Sequence, residues 1–225
     1  MHKRLYELLN IEKIDIIVEV GARDCIDTNF LYKIFNKPKI YTYECNPIQT
    51  QICLDNLKQI DHNNDIIFCN YGLGEKKSIK PFYPYIANNI GASSFFKRID
   101  FLYTQKKVDN INIETLYDEI NKFNIPKIDL LIMDVQGYEL NILFGCKEYI
   151  SRIKYMVLEV PLENINPVYL DPKLHSKYIG APTRKEILDY LYKNNFEILK
   201  SFYENELEEN IVFVNKTWQE KIETN

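Results

Sequence analysis

What this 225-residue sequence lacks already narrows its class. It has no C-x-x-C pair. Its five cysteines, Cys25, Cys45, Cys53, Cys69 and Cys146, are odd in number and scattered, which argues against a disulfide framework and against a zinc module. No uncharged run approaches the roughly 18 residues that a membrane span needs, and no apolar core precedes Glu7. Basic charge is not in excess: 28 Lys and Arg stand against 32 Asp and Glu, for a formal net charge of −4. No broad cationic field or basic arm therefore invites a nucleic-acid backbone. Repeats, low-complexity stretches and linkers are also missing. The expectation is a reduced, cytoplasmic protein with one domain over residues 1–225, no membrane span and no nucleic-acid partner.

What is present reads as an α/β domain. Apolar runs alternate with amphipathic stretches from end to end, the pattern of a mostly parallel sheet with helices on both faces. Strands are predicted at 15–20, 39–43, 65–69, 128–133 and 155–160. Helices are predicted at 29–35, 48–57, 113–123, 138–150 and 183–194, with Thr115 or Asn112 capping the third. Residues 77–83 look extended, 84–98 form a loop rich in Asn, Gly and Ser, and 161–182 are irregular. Two last strands, 196–202 and 211–214, flank Glu204-Asn205-Glu206, where a tight turn makes them antiparallel. The sheet then has seven strands and ends in an antiparallel hairpin.

Open parallel sheets bind ligands beyond the carboxyl ends of their strands, so the residues just after each strand carry the functional reading. After the first strand stands Glu19-Val20-Gly21-Ala22-Arg23-Asp24-Cys25. Gly21 permits a tight turn and close backbone approach. Glu19 suits the ammonium of an amino-acid ligand, or holds the loop by hydrogen bonds. After the second strand, Glu44 in Tyr43-Glu44-Cys45-Asn46-Pro47 suits the two hydroxyls of a ribose; as a plain structural element it would cap the next helix, as Asn46 would equally well. The spacing of about 25 residues from the Glu19 loop favours the ribose reading. Asn70-Tyr71-Gly72-Leu73-Gly74 follows the third strand, with a polar side chain, an aromatic and backbone amides for an adenine. After the fourth comes Asp134-Val135-Gln136-Gly137-Tyr138-Glu139, and Glu159 ends the next. Three carboxylates on one rim suggest proton transfer, or a divalent cation between Asp134 and Glu159; for Glu139, stabilisation of a helix start is an equal alternative. His175 lies in the long loop and is either a solvent-facing side chain or a catalytic one.

The series Glu19-Val20-Gly21-Ala22, Tyr43-Glu44-Cys45-Asn46-Pro47, Gly91-Ala92-Ser93-Ser94-Phe95 and Asp134-Val135-Gln136-Gly137-Tyr138-Glu139 resembles the FkbM family of methyltransferases. The resemblance runs from about Asp15 to Gly145. It implies a class I methyltransferase fold of the Rossmann-like type, S-adenosylmethionine as cofactor, and a hydroxyl of a sugar, glycan or other small molecule as acceptor. Cofactor contacts are expected among Glu19, Gly21, Ala22, Arg23, Asp24, Glu44, Cys45, Asn46, Asn70, Gly72, Asp134 and Gln136. The candidate bases are Asp134, Glu139, Glu159 and His175, and no resident metal is expected. The chain departs from the family's Asp-Val-Gly-Ala-Asn-x-Gly loop at Glu19, Arg23 and Cys25. A nucleic-acid amino-methyltransferase would carry Asn-Pro-Pro-Tyr or Asp-Pro-Pro-Tyr where Asp134-Val135-Gln136-Gly137 stands. A non-catalytic binding module on the same fold is the rival from another class.

Overall fold

The computed structural model describes residues 2–9, 13–85, 90–98, 107–163 and 176–218. A seven-stranded sheet forms the centre of the molecule. Its parallel part comprises β1 (Ile16–Val20), β2 (Lys39–Tyr43) and β3 (Ile66–Cys69), then β7 (Ile128–Met133) and β8 (Ile153–Pro161). Two strands close it, β9 (Phe196–Tyr203) and β10 (Glu208–Asn215), in the order β3-β2-β1-β7-β8-β10-β9. β10 runs antiparallel to both of its neighbours. The last strand thus slots inside its predecessor, and composition explains why. Ile211-Val212-Phe213-Val214 is buried throughout, whereas β9 carries Glu197 and Lys200 and is exposed along most of its length, as an edge strand should be.

Strand residues alternate between two apolar layers. Leu131 and Met133 of β7 pack toward α4 (Leu116–Lys122), α5 (Glu139–Phe144) and α6 (Arg184–Lys193). Leu130 and Ile132 pack toward α1 (His2–Leu9), α2 (Ile26–Ile34) and α3 (Thr50–Leu57). Helices therefore cover both faces, as a parallel sheet requires. Local signals set their ends. Thr115 caps α4 by accepting from the Asp118 amide, and Thr183 and Glu186 form a reciprocal capping box at α6.

Three departures from the sequence reading have identifiable causes. Residues 108–114 are a strand, β6 (Val108–Glu114), so the helix expected over 113–123 begins only after the Thr115 cap. Within it Ile111 and Ile113 are buried while Asn112 between them is exposed, a period of two. With β4 (Gly72–Leu73) and β5 (Ser78–Phe82) it makes a second, three-stranded sheet, order β4-β6-β5. The helix expected over 138–150 stops at Phe144 and gives way to a 3-10 turn, Lys147–Arg152. The N-terminal helix α1 was not foreseen, although Leu5 and Leu9, one turn apart, are both buried.

The first parallel strands meet at Gly21. Its φ is +88°, and a Cβ there would lie 2.0 Å from the carbonyl oxygen of Asp134. Gly21→Ala combines a disfavoured backbone with a clash against main chain, so urea denaturation is expected to register a loss of at least about 2 kcal/mol. A midpoint within error of the wild type would contradict this account of the loop.

Candidate functional site

Strand order reverses between β1 and β7, and the chain leaves the two in different directions there, which opens a crevice beyond their carboxyl ends. Main-chain hydrogen bonds fix its floor. The amides of Gly21 and Ala22 donate to the Tyr43 carbonyl at 2.9 and 3.1 Å, and the Asp134 amide donates to the Val20 carbonyl at 3.1 Å. The cavity above holds about 960 Å³ of empty space, counting the part open to solvent.

Glu19, Gly21, Ala22, Arg23, Glu44, Cys45, Asn46, Gly72 and Asp134 all line this cavity. Asp24, Asn70 and Gln136 do not. Asp24 turns back on its own loop, accepting from the Ile26 amide at 3.2 Å and lying 3.4 Å from the Arg23 guanidinium. Asn70 is exposed beyond β3, while the aromatic of that segment, Tyr71, lines the cavity with Gly72 and Leu73. Tyr43, Gln49, Phe82 and Tyr138, which had no site role in the sequence reading, also face it, as does Phe95 of the loop over 84–98. Phe82 and Phe95 reach it because the second sheet and the turn after it fold over the crevice. The alternation in β6 was the signal that would have announced that sheet.

Two buried acids stand in the wall. Glu19 Oε2 accepts from the hydroxyls of Thr28 at 2.5 Å and Thr42 at 2.9 Å. Burial raises its pKa from 4.5 to about 7, against the lowering effect of those hydroxyls. Glu44 Oε2 accepts the Arg23 amide at 2.8 Å, and its Oε1 accepts the Asn46 amide at 2.6 Å. Burial again dominates and carries it to about 7. A carboxylate has about four acceptor sites, so each Glu44 oxygen keeps one for a ligand. Arg23 and Cys25, two of the three departures from the family loop, have φ of +54° and +59°. These are left-handed positions, where Asn and Gly are the residues at ease. The Cys25 thiol is fully buried in the helical layer, which offsets that backbone cost.

A second group lies beside the cavity. Gln136 Nε2 donates to Asp134 Oδ1 at 2.7 Å and to Glu159 Oε2 at 2.6 Å, and the Tyr178 hydroxyl donates to Gln136 Oε1. Asp134 opens to solvent at the rim, yet the protein packed around it desolvates its carboxyl and pushes it up to about 6. Glu159 is pushed well above its ordinary value, mainly by burial and then by Asp134, Glu208 and Glu139. It lines a smaller recess with Glu139, Ser176, Tyr178 and Glu208 rather than the main cavity. Glu139, raised to about 8 by burial, accepts from the amides of Val135 at 3.2 Å and Gly137 at 3.3 Å. Of its two sequence readings, the helix-start role fits this geometry. His175 lies outside the described residues. Among the described residues no group of three or more His, Cys, Asp or Glu could hold a metal ion. The five cysteines are free thiols.

A methyltransferase FkbM domain matches residues 19–198, most of the chain. This chain belongs to the FkbM methyltransferase family. The FkbM domain takes in the Gly21 loop, both buried acids and the Asp134–Gln136–Glu159 group. The chain is similar to 2-O-methyltransferase NoeI of Sinorhizobium fredii (strain NBRC 101917 / NGR234), 25% identical over 215 residues that cover 90% of this chain and 80% of the relative. Among solved structures it resembles the O-methyltransferase TomG of Streptomyces achromogenes, with TM-score 0.56, 10% identity, and 95% and 78% of the two chains covered. A precorrin-6y C5,15-methyltransferase from Geobacter metallireducens matches with TM-score 0.50, 11% identity, and 94% and 87% coverage. These structural likenesses show the fold: this FkbM-family chain has the class I methyltransferase architecture. No helix among the described residues is long and apolar enough to cross a membrane.

The raised acids have a consequence for stability. Glu19, Glu44 and Glu139 hold protons in the folded protein up to about pH 7 to 8, whereas the unfolded chain releases them near 4.5. The folded state then binds more protons, so their contribution is fully present below about pH 4.5 and is lost as pH rises through 7 to 8. The urea midpoint of the ligand-free protein is expected to be lower at pH 8 than at pH 5.5. Glu19→Gln should flatten that dependence.

Proposed function

We propose that this methyltransferase transfers a methyl group from S-adenosylmethionine to a hydroxyl of a sugar or glycan. The observation that carries the reading is the position of Asp134: a carboxylate on the wall of the large cavity, with one oxygen tied to Gln136 and the other without a protein partner among the described residues. A sugar hydroxyl is a poor nucleophile and needs its proton removed as it attacks, which a carboxylate at the cavity rim can do. The fold's resemblance to TomG, whose structure is described as a complex with SAM, and the name 2-O-methyltransferase given to NoeI support the same reading.

The residues fit this cofactor. Gly21 lets β1 turn against the Asp134 carbonyl, which a Cβ would meet at 2.0 Å, and so shapes the crevice the cofactor would enter. Glu44 would hold the ribose hydroxyls with the acceptor sites its two amide bonds leave open, and Glu19 would face the ammonium. The apolar wall from Tyr71, Leu73 and Ile142 suits a purine ring. When bound, S-adenosylmethionine supplies an activated methyl carbon on a sulfonium. The protein's own part is to hold the acceptor oxygen in line and take its proton at Asp134. Glu159, outside the main cavity, is the next candidate.

Four measurements test this. Glu44→Ala, checked to be folded, is expected to weaken cofactor binding about ten-fold or more by calorimetry, because hydrogen bonds to a charged group contribute roughly 1.5–3 kcal/mol. An ammonium and hydroxyl donors favour the charged forms of Glu19 and Glu44, so binding at pH 6.5 should release protons, seen as a dependence of the heat on buffer ionisation enthalpy. Asp134→Asn should lose about 10²- to 10⁴-fold in transfer while cofactor affinity changes far less. Labelled cofactor screened against glycans, nucleotide sugars and nucleic acids identifies the acceptor. Transfer to RNA or DNA alone would overturn the assignment, and cofactor binding with no transfer to any of them would favour a binding module.

A further inference from the structure

Gln136 is fully committed within the protein, which the reading of it as a cofactor ligand did not anticipate. Its two amide hydrogens go to Asp134 Oδ1 at 2.7 Å and Glu159 Oε2 at 2.6 Å, and its carbonyl oxygen accepts the Tyr178 phenol. The two carboxyls set that orientation, since two acid oxygens need a donor between them, and the phenol's single proton then goes to the Gln136 carbonyl, with the Ala92 carbonyl a longer 3.3 Å away. The residue is 9% exposed and its main-chain carbonyl accepts the Ser94 hydroxyl at 2.8 Å. Its φ is +56°, a left-handed conformation unfavourable for a side chain with a Cβ, and that of Gly137 is +94°. Four elements are therefore joined at one residue: its side chain ties the ends of β7 and β8 to the segment carrying Tyr178, and its main-chain carbonyl holds the turn carrying Ser94. The last two are also stitched to each other by a bridge between Arg98 and Tyr178.

We propose that Gln136 is a positioning residue: its amide holds Asp134 Oδ1 so that Oδ2 alone is left to the acceptor, and Tyr178 fixes that amide from its other end. Without the amide, Asp134 and Glu159 would face each other as two acids with no donor between them. The inference rests on Asp134 acting as the base. Asp134 is also faced by Arg23 from the loop after β1, by Glu204 and Glu208 of the closing hairpin, by Glu139 of α5 and by Glu44 after β2. Of these only Arg23 favours its charged form, so the Gln136 donor is a large part of what keeps it ionisable near neutrality.

Gln136→Leu is close in volume and removes all three bonds; Tyr178→Phe removes only the phenol proton. The first readout is the titration of the Asp134 carboxyl by carbon-13 NMR, assigned with Asp134→Asn, which needs no acceptor and no turnover. In Gln136→Leu this carboxyl is expected to titrate at higher pH than in the wild type. The acid limb of the transfer rate should move up with it, turnover at pH 7 should fall about ten-fold or more, and affinity for S-adenosylmethionine should change less than about two-fold. Tyr178→Phe should move the same quantities in the same direction by less. An unchanged Asp134 titration in both variants would overturn the proposal, as would a main effect on cofactor affinity, which would make Gln136 a cofactor contact. If Asp134→Asn keeps full transfer, the base lies elsewhere, and the titration still decides whether Gln136 orients Asp134.

Discussion

The crevice depends on how closely three strand ends can approach one another. β1 must turn within van der Waals contact of the Asp134 carbonyl while its next two amides reach back to Tyr43 on β2. Only a residue without a Cβ, free to adopt a positive φ, allows this. Everything functional is hung from that contact. It sets Asp134 on one side, Glu44 on the other, and leaves room between them for a ligand. The Arg23 amide bonded to Glu44 then locks the loop against β2, so the second acid is held by the backbone that the first turn creates.

The cavity wall is acidic but not strongly charged. Glu19 and Glu44 sit where burial makes ionisation unfavourable, and each is given donors that partly restore it, hydroxyls for one and amides for the other. The result is two carboxyls near their midpoint at neutral pH, ready to become anions when a ligand offers a positive charge or further donors. Glu139 resembles them in burial but not in use: its oxygen is spent on the Val135 and Gly137 amides, which hold the turn that presents Gln136. An acid next to a site in sequence can serve the loop rather than the reaction.

Much of this was legible in the sequence. β2 and β7 were predicted with their observed limits, because a compact apolar run bounded by turn residues admits little else. Glu19, Gly21, Glu44 and Asp134 line one cavity, as expected of residues just after the strands, because a parallel sheet delivers its strand ends to one place. What failed was whatever depends on side-chain direction or on non-local partners. Nothing local says that Gln136 turns from the cavity toward Glu159, 23 residues on, or that Asp24 folds back on its own loop. The second sheet was hidden because Asn112 and Ile113, next to a helix cap at Thr115, fit the start of a helix as well as the end of a strand.

The place of β10 also bears on how the chain is made. β9 bonds to the sheet only through β10, the later of the two in synthesis. A nascent chain that has emerged as far as Tyr203 therefore has five parallel strands with an open flank at β8, where Val157, Leu158 and Val160 will later be covered. Its newest strand has nothing to pair with. The hairpin must dock as a unit once residues 208–215 are free of the ribosome, and until then β8 offers an unpaired edge to any other nascent chain.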